Sequence, residues 1–276
     1  MTTSSFLASE RYRLAKILAM LMLAAIIITS GGGDAADSKR ISVPDLQTVE
    51  LKILSADGRQ QIGSTLLTVS SDRSNETKIK GETTYLDGQH DDEDARIQLV
   101  NGSLRLEKYK HSFFSADGRA IMRDSVDTKS RVATCARDEG GSIKIRTAEF
   151  DFPTDTFVGA SQMLIVTAKL REGNRKIDFH AFACVPGPRL FYIHATVPER
   201  VEHWPYYHGD LVRLDLRPDL GAGLSLVIAP FLPKTEAWFD PQNKWTYVGG
   251  EFNRYFGGPH VLQVLLPSHR TQNGNS

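Results

Sequence analysis

Apolar and polar residues alternate in short runs along most of the chain, with turn signals between the runs. Ile97-Gln98-Leu99-Val100, Leu104-Arg105-Leu106-Glu107 and Ser142-Ile143-Lys144-Ile145-Arg146 each place apolar side chains on one face and polar ones on the other. Such runs predict strands with one wet face, which belong to an antiparallel sheet rather than a doubly wound parallel one. The predicted strands are Val49–Leu54, Gly63–Ser70, Lys78–Leu86, Arg96–Val100, Ser103–Tyr109, Ser130–Arg137 and Ser142–Phe150. They continue with Lys176–Ala183, Leu190–Val197, Asp210–Leu216, Glu236–Asp240, Lys244–Gly249 and His260–Leu266. Asn101-Gly102 is the strongest hairpin signal, and Asp57-Gly58, Asp87-Gly88 and Asp117-Gly118 add further turns. Ser-Ala-Asp-Gly-Arg occurs twice, at Ser55–Arg59 and Ser115–Arg119. Its flanks do not align, so it reads as a repeated turn rather than a duplication.

One segment departs from this period. Thr154 can cap a helix over Asp155–Arg171, with Phe157, Ala160, Met163, Leu164, Ala168 and Leu170 near one face and Gly173 as the stop. The alternative there is a buried strand at Met163–Leu170, carried by Ile165-Val166-Thr167. Leu220–Leu232 is apolar and uncharged but too short to span a bilayer, so it reads as a buried element or interior-facing loop. The expected fold is mainly β (α+β): a curved antiparallel meander or half-barrel with one helix packed on its concave face.

The leading residues add a compartment. Arg11, Arg13 and Lys16 precede an uncharged apolar run, and small residues follow at Gly31–Gly33, Ala35 and Ala36. Basic, then apolar, then small is the order of a secretory signal, cut after Gly32 or Ala35. An uncleaved anchor is the alternative, although Ile17–Gly33 falls short of the roughly 20 residues a span needs. Residues 1–36 are thus expected to be a signal peptide, 37–266 a single β-rich domain and 267–276 a flexible tail. The body is expected in the periplasm or secreted. Two cysteines, Cys135 and Cys184, fall in that body, and in an oxidising compartment they are expected to form a disulfide.

Charge excludes some functions. The chain has 33 Lys+Arg and 33 Asp+Glu, a balance that gives no electrostatic footprint for nucleic acid. No nucleophile elbow, zinc-binding H-E-x-x-H, C-x-x-C or phosphate loop is present. That points away from an enzyme, although a convergent catalytic site needs no motif. No cofactor and no metal is expected. His203 and His208 read as parts of an aromatic loop. Asp91-Asp92-Glu93-Asp94 reads as a solvated hairpin tip, since it lacks the glycine and alternating ligands of a calcium loop.

Aromatic residues crowd the later part of the chain, with all three tryptophans among them. Trp204, Tyr207, Trp238, Trp245, Tyr247 and Tyr255 form the candidate ligand-binding set, because such rings bury an amphipathic or sugar ligand while leaving polar edges free. The alternative is that these rings are core and edge packing.

Phe231-Leu232-Pro233-Lys234-Thr235-Glu236-Ala237-Trp238-Phe239-Asp240, Tyr247-Val248-Gly249-Gly250-Glu251 and Tyr255-Phe256-Gly257-Gly258-Pro259 resemble exported bacterial proteins grouped as domain of unknown function 3108. The resemblance implies a periplasmic curved sheet, loosely similar to the half-barrels of lipoprotein carriers, and it brings no catalytic residues. The resulting expectation is a non-enzymatic binder of a lipid or glycan. The alternatives are an envelope polysaccharide hydrolase or lyase using acids such as Asp215, Asp219, Glu236 and Asp240, and a structural protein with an envelope protein partner.

Overall fold

The computed structural model describes residues 46–72, 75–184, 187–219, 235–254 and 258–266. The leading segment, the Leu220–Leu232 run, Tyr255 and the tail lie outside the described residues.

The first half is an antiparallel meander in which each strand pairs with the next. Its members are β1 (Leu46–Ser55), β2 (Gln61–Ser71), β3 (Glu76–Tyr85), β4 (His90–Val100), β5 (Ser103–Phe114), β6 (Ala120–Asp127), β7 (Val132–Asp138) and β8 (Ile143–Glu149). Turn chemistry sets the register. Asn101 and Gly102 both take positive φ, 51° and 77°, as a two-residue hairpin between twisted strands requires. The two Ser-Ala-Asp-Gly-Arg copies form the same turn. In each, the aspartate Oδ1 accepts from the serine hydroxyl and from the arginine backbone N–H.

The chain then makes β9 (Thr156–Phe157), α1 (Ser161–Arg171), β10 (Lys176–Cys184), β11 (Pro188–Thr196), β12 (Glu202–His203), β13 (Asp210–Asp219), β14 (Thr235–Asp240), β15 (Thr246–Asn253) and β16 (His260–Leu265). β16 pairs with β1, so the sheet runs β8 to β1, then β16, β15, β14, β13, β11, β10 and β9. Cys135 on β7 is bonded to Cys184 on β10, with Cα atoms 5.8 Å apart. These strands sit near opposite ends of the sheet, so the sheet must curl until its arms meet. The curved antiparallel fold with a helix inside, expected from the sequence, is what is seen.

One core fills the concave side. Ile79, Ala95, Ile97, Leu106, Val126 and Ala133 come from one arm, and Phe179, Leu214, Ala237 and Phe239 from the other. Ile165, Val166 and Leu170 of α1 lie among them. At the far end of α1, Arg171 Nε donates to the carbonyl of Lys244 at 2.7 Å, which pins the helix to the β14–β15 hairpin.

Three expectations need correction. The helix starts at Ser161, not Asp155. Thr156 and Phe157 instead pair with β10 as a buried parallel strand, Gly159 takes a φ of +55°, and the Ser161 hydroxyl closes a turn on Val158. β6 was not anticipated. Asp91–Asp94 is no hairpin tip but the first part of β4, and Asp91 and Glu93 share the inward parity of Ala95 and Ile97.

Candidate functional site

Near the start of α1 the helix leaves part of the concave face uncovered, and a cavity of about 480 Å³ remains there. Its walls are β1 to β7, the 158–163 turn into the helix, the end of β10, and parts of β14, β15 and β16. Strand register decides which side chains reach it. Gly81, Glu93, His111, Asp124 and Cys135 oppose one another in a single row across β3 to β7. The next row is Thr83, Asp91, Phe113, Met122 and Arg137. Directly opposed residues hold their Cβ atoms about 4.5–5.5 Å apart. A run of ionisable groups therefore lines the inside of the sheet.

Their electrostatics differ. Arg137 grips Asp124 with both terminal nitrogens, so that pair is self-contained. Arg254 is committed elsewhere: it holds both oxygens of Asp87, at 2.9 and 3.0 Å, and lies 3.5 Å over the Tyr85 ring. Glu93 Oε1 accepts the backbone N–H of Ala160 at 2.7 Å, at the point where α1 begins. Burial nevertheless pushes the Glu93 carboxyl up to about 7. Burial likewise raises Asp91 to about 6, against hydrogen bonds from Thr83 and Tyr85 that favour the anion. His111, with Nε2 3.9 Å from Asp91 Oδ1, is pushed down by burial toward the neutral imidazole. Burial pushes the Tyr109 hydroxyl well up, so it stays a donor.

The close fit around Glu93 explains Gly159. A Cβ there would stand 2.2 Å from Glu93 Oε1 and 2.9 Å from the Tyr109 hydroxyl. Gly81 has a different meaning: a Cβ would meet Glu93 Cβ at 3.5 Å and Leu67 Cδ1 at 3.8 Å, ordinary contacts. The missing side chain at Gly81 leaves open space beside the carboxylate.

Taken together, the groups can donate, accept and exchange protons near neutral pH. Asp124 also lies beside Cys135 and Cys184, but sulfurs joined in a disulfide are not thiolates and supply no metal donors.

The six aromatic candidates do not form one site. Trp204, Tyr207 and Trp238 share a small core with Leu211, Val248 and Val264. That core lies on the opposite face of the sheet, because Trp238 alternates with Ala237 and Phe239 of the main core. Trp204 and Trp238 stack at 5.4 Å with 12° between their planes. Trp245 packs against the main core. Tyr247 does line the cavity, donating to Gln263 Oε1 at 3.4 Å. Tyr255 is outside the described residues.

The four proposed acids likewise do not form one site, although two of them are cross-strand neighbours. Asp215 opposes Glu236 with Arg213 beside both, Asp219 neighbours His194, and Asp240 binds backbone N–H groups of its own turn. Asp91, Glu93, His111, Asp124 and Arg137 escaped sequence reasoning. The signal was present as parity: counting back in twos from Ala95 reaches Glu93 and Asp91.

No family model matches the chain and no curated protein is similar to it, so the resemblance to domain of unknown function 3108 is not shown. Among solved structures, the chain is similar to a crystal structure of a β-barrel-like protein of domain of unknown function DUF1849 from Brucella abortus. The identity is 8%, the TM-score is 0.44, and the match covers 79% of this chain and 94% of that one.

Proposed function

We propose that this chain is an exported, non-enzymatic binding protein whose concave cavity takes a small polar ligand from the cell envelope, a glycan fragment being the class that fits. The observation carrying this reading is the cavity of about 480 Å³, left open by α1, in which carboxylates, an imidazole, phenols and amides stand among apolar side chains such as Leu67, Met122 and Phe182. That volume lies within the roughly 300–1,000 Å³ of small-molecule sites. The row of ionisable groups inside the sheet, Glu93, His111 and Asp124 with Asp91 and Arg137 beside it, favours a polar ligand such as a glycan over a lipid chain. Export is supported by the basic–apolar–small order of the leading residues and by a disulfide, a bond that persists in oxidising compartments. Native mass spectrometry of protein purified from its own envelope tests the reading. A discrete bound polar species is expected, and uniformly empty protein that also takes up no sugar on soaking contradicts it.

A second reading, hydrolysis of an envelope polysaccharide, has one observation in its favour. Asp91 and Glu93 stand two residues apart on one face of β4, with carboxyls raised to about 6 and about 7 by burial, in the range of a general acid. Turnover of labelled envelope glycans, lost in both Asp91→Asn and Glu93→Gln, would favour that reading. Binding without turnover excludes it.

A further inference from the structure

We propose that the ligand of this cavity carries a protonated amine seated on Asp91 and Glu93, with a hydroxyl nearby: the chemistry of an amino sugar. This rests on the cavity being a binding site. Two arginines lie in the cavity wall, and each is already paired bidentately, Arg137 with Asp124 and Arg254 with Asp87. Among the described residues Asp91 and Glu93 have no such bidentate partner: the Arg254 charge reaches Asp91 through space, and their hydrogen bonds come from neutral groups, Thr83 and Tyr85 for Asp91 and the Ala160 N–H for Glu93. His111 stands 3.9 Å from Asp91 Oδ1, and burial drives it toward the neutral form. Across the sheet from Glu93, the position where a lysine or arginine could answer the carboxylate is Gly81. Buried carboxylates without a cation are costly, and a ligand cation would relieve that cost.

A second observation points to the hydroxyl. At the same wall, Arg254 Nε and Asn253 Oδ1 are buried and have no hydrogen-bond partner among the described residues. The Arg254 side chain is 10% exposed. One is a donor and the other an acceptor, and a hydroxyl answers both.

Calorimetric titration of the full exported protein at pH 7 with a glucosamine dimer and with its N,N′-diacetyl form tests the inference. The free amine should bind about tenfold more tightly or better. Glu93→Gln and Asp91→Asn should each erase most of that preference. Glu93→Gln keeps an acceptor for Ala160, and an unchanged circular dichroism spectrum with cooperative melting confirms that the fold is intact. Equal affinity for the two dimers overturns the amine while leaving a polar binding site in place. Binding of neither dimer at millimolar concentration also overturns it, and the cavity reading then depends on the species found by native mass spectrometry.

Discussion

At the scale of single residues, Glu93 governs both the shape and the charge of the cavity. Around it stand His111 and Tyr109 from β5, Asp91 from β4, Asp124 from β6 and the Ala160 N–H, with no side chain on the β3 side. Its carboxyl and that of Asp91 are raised in the folded state by burial, so the folded protein holds protons that the unfolded chain releases. Their contribution to stability is therefore fully present only below about pH 4 and is lost as pH rises from there through about 6 and 7. His111 acts in the opposite sense, since its lowered value makes the unfolded chain take up a proton first below its ordinary value of 6.5. Comparison with an Asp91→Asn/Glu93→Gln variant cancels that term. Between pH 5 and pH 7.5 the native protein should lose on the order of 4 kcal/mol relative to the variant, measured by urea unfolding at both values. Gly159→Ala should cost about 2–4 kcal/mol in the same assay, because a Cβ meets Glu93 and the backbone is left-handed. None of these residues was conspicuous in the sequence. Acidic residues have low strand propensity, so Asp91–Asp94 read as surface, whereas their parity with Ala95 and Ile97 carried the better signal.

At the scale of elements, turns and alternating strands were readable, and the exceptions share a cause. β6 carries Asp124 on its inward face, so its sequence shows no apolar alternation. The helix is shorter than its periodicity suggested, because Thr156 and Phe157 gain a parallel partner in β10 that local propensity cannot foresee. The aromatic cluster was visible as composition but not as location. The loop carrying Trp204 folds onto the outer face of the sheet, where its ring lies against Trp238 and over Gly249. Gly249 has a φ of +144°, and a Cβ there would come 2.6 Å from the Trp204 ring. Trp238→Ala should therefore cost about 3–5 kcal/mol of stability while leaving ligand occupancy of the folded fraction unchanged. Chemical denaturation and native mass spectrometry read these two effects separately.

At the scale of the whole molecule, one covalent bond joins the arms of the curved sheet. The Cys135–Cys184 pairing was anticipated from two cysteines in a body expected to be exported, but its role was not, because only the strand order shows that β7 and β10 lie toward opposite ends. Closing a loop with a sequence separation of 49 stabilises by about 4 kcal/mol in the chain-entropy model. A Cys135→Ala/Cys184→Ala variant should lose about that much in denaturant, and its cavity walls should part more readily. On the proposed function, the ligand sits inside this curl, beside the gap at Gly81. Gly81→Leu tests it most directly, since the backbone there accepts a Cβ at ordinary contact distances and the added side chain takes up cavity space. Native mass spectrometry of wild type and Gly81→Leu, both purified from the same envelope, should find the bound species on the wild type and not on the folded variant. Equal occupancy of the two proteins would contradict the account.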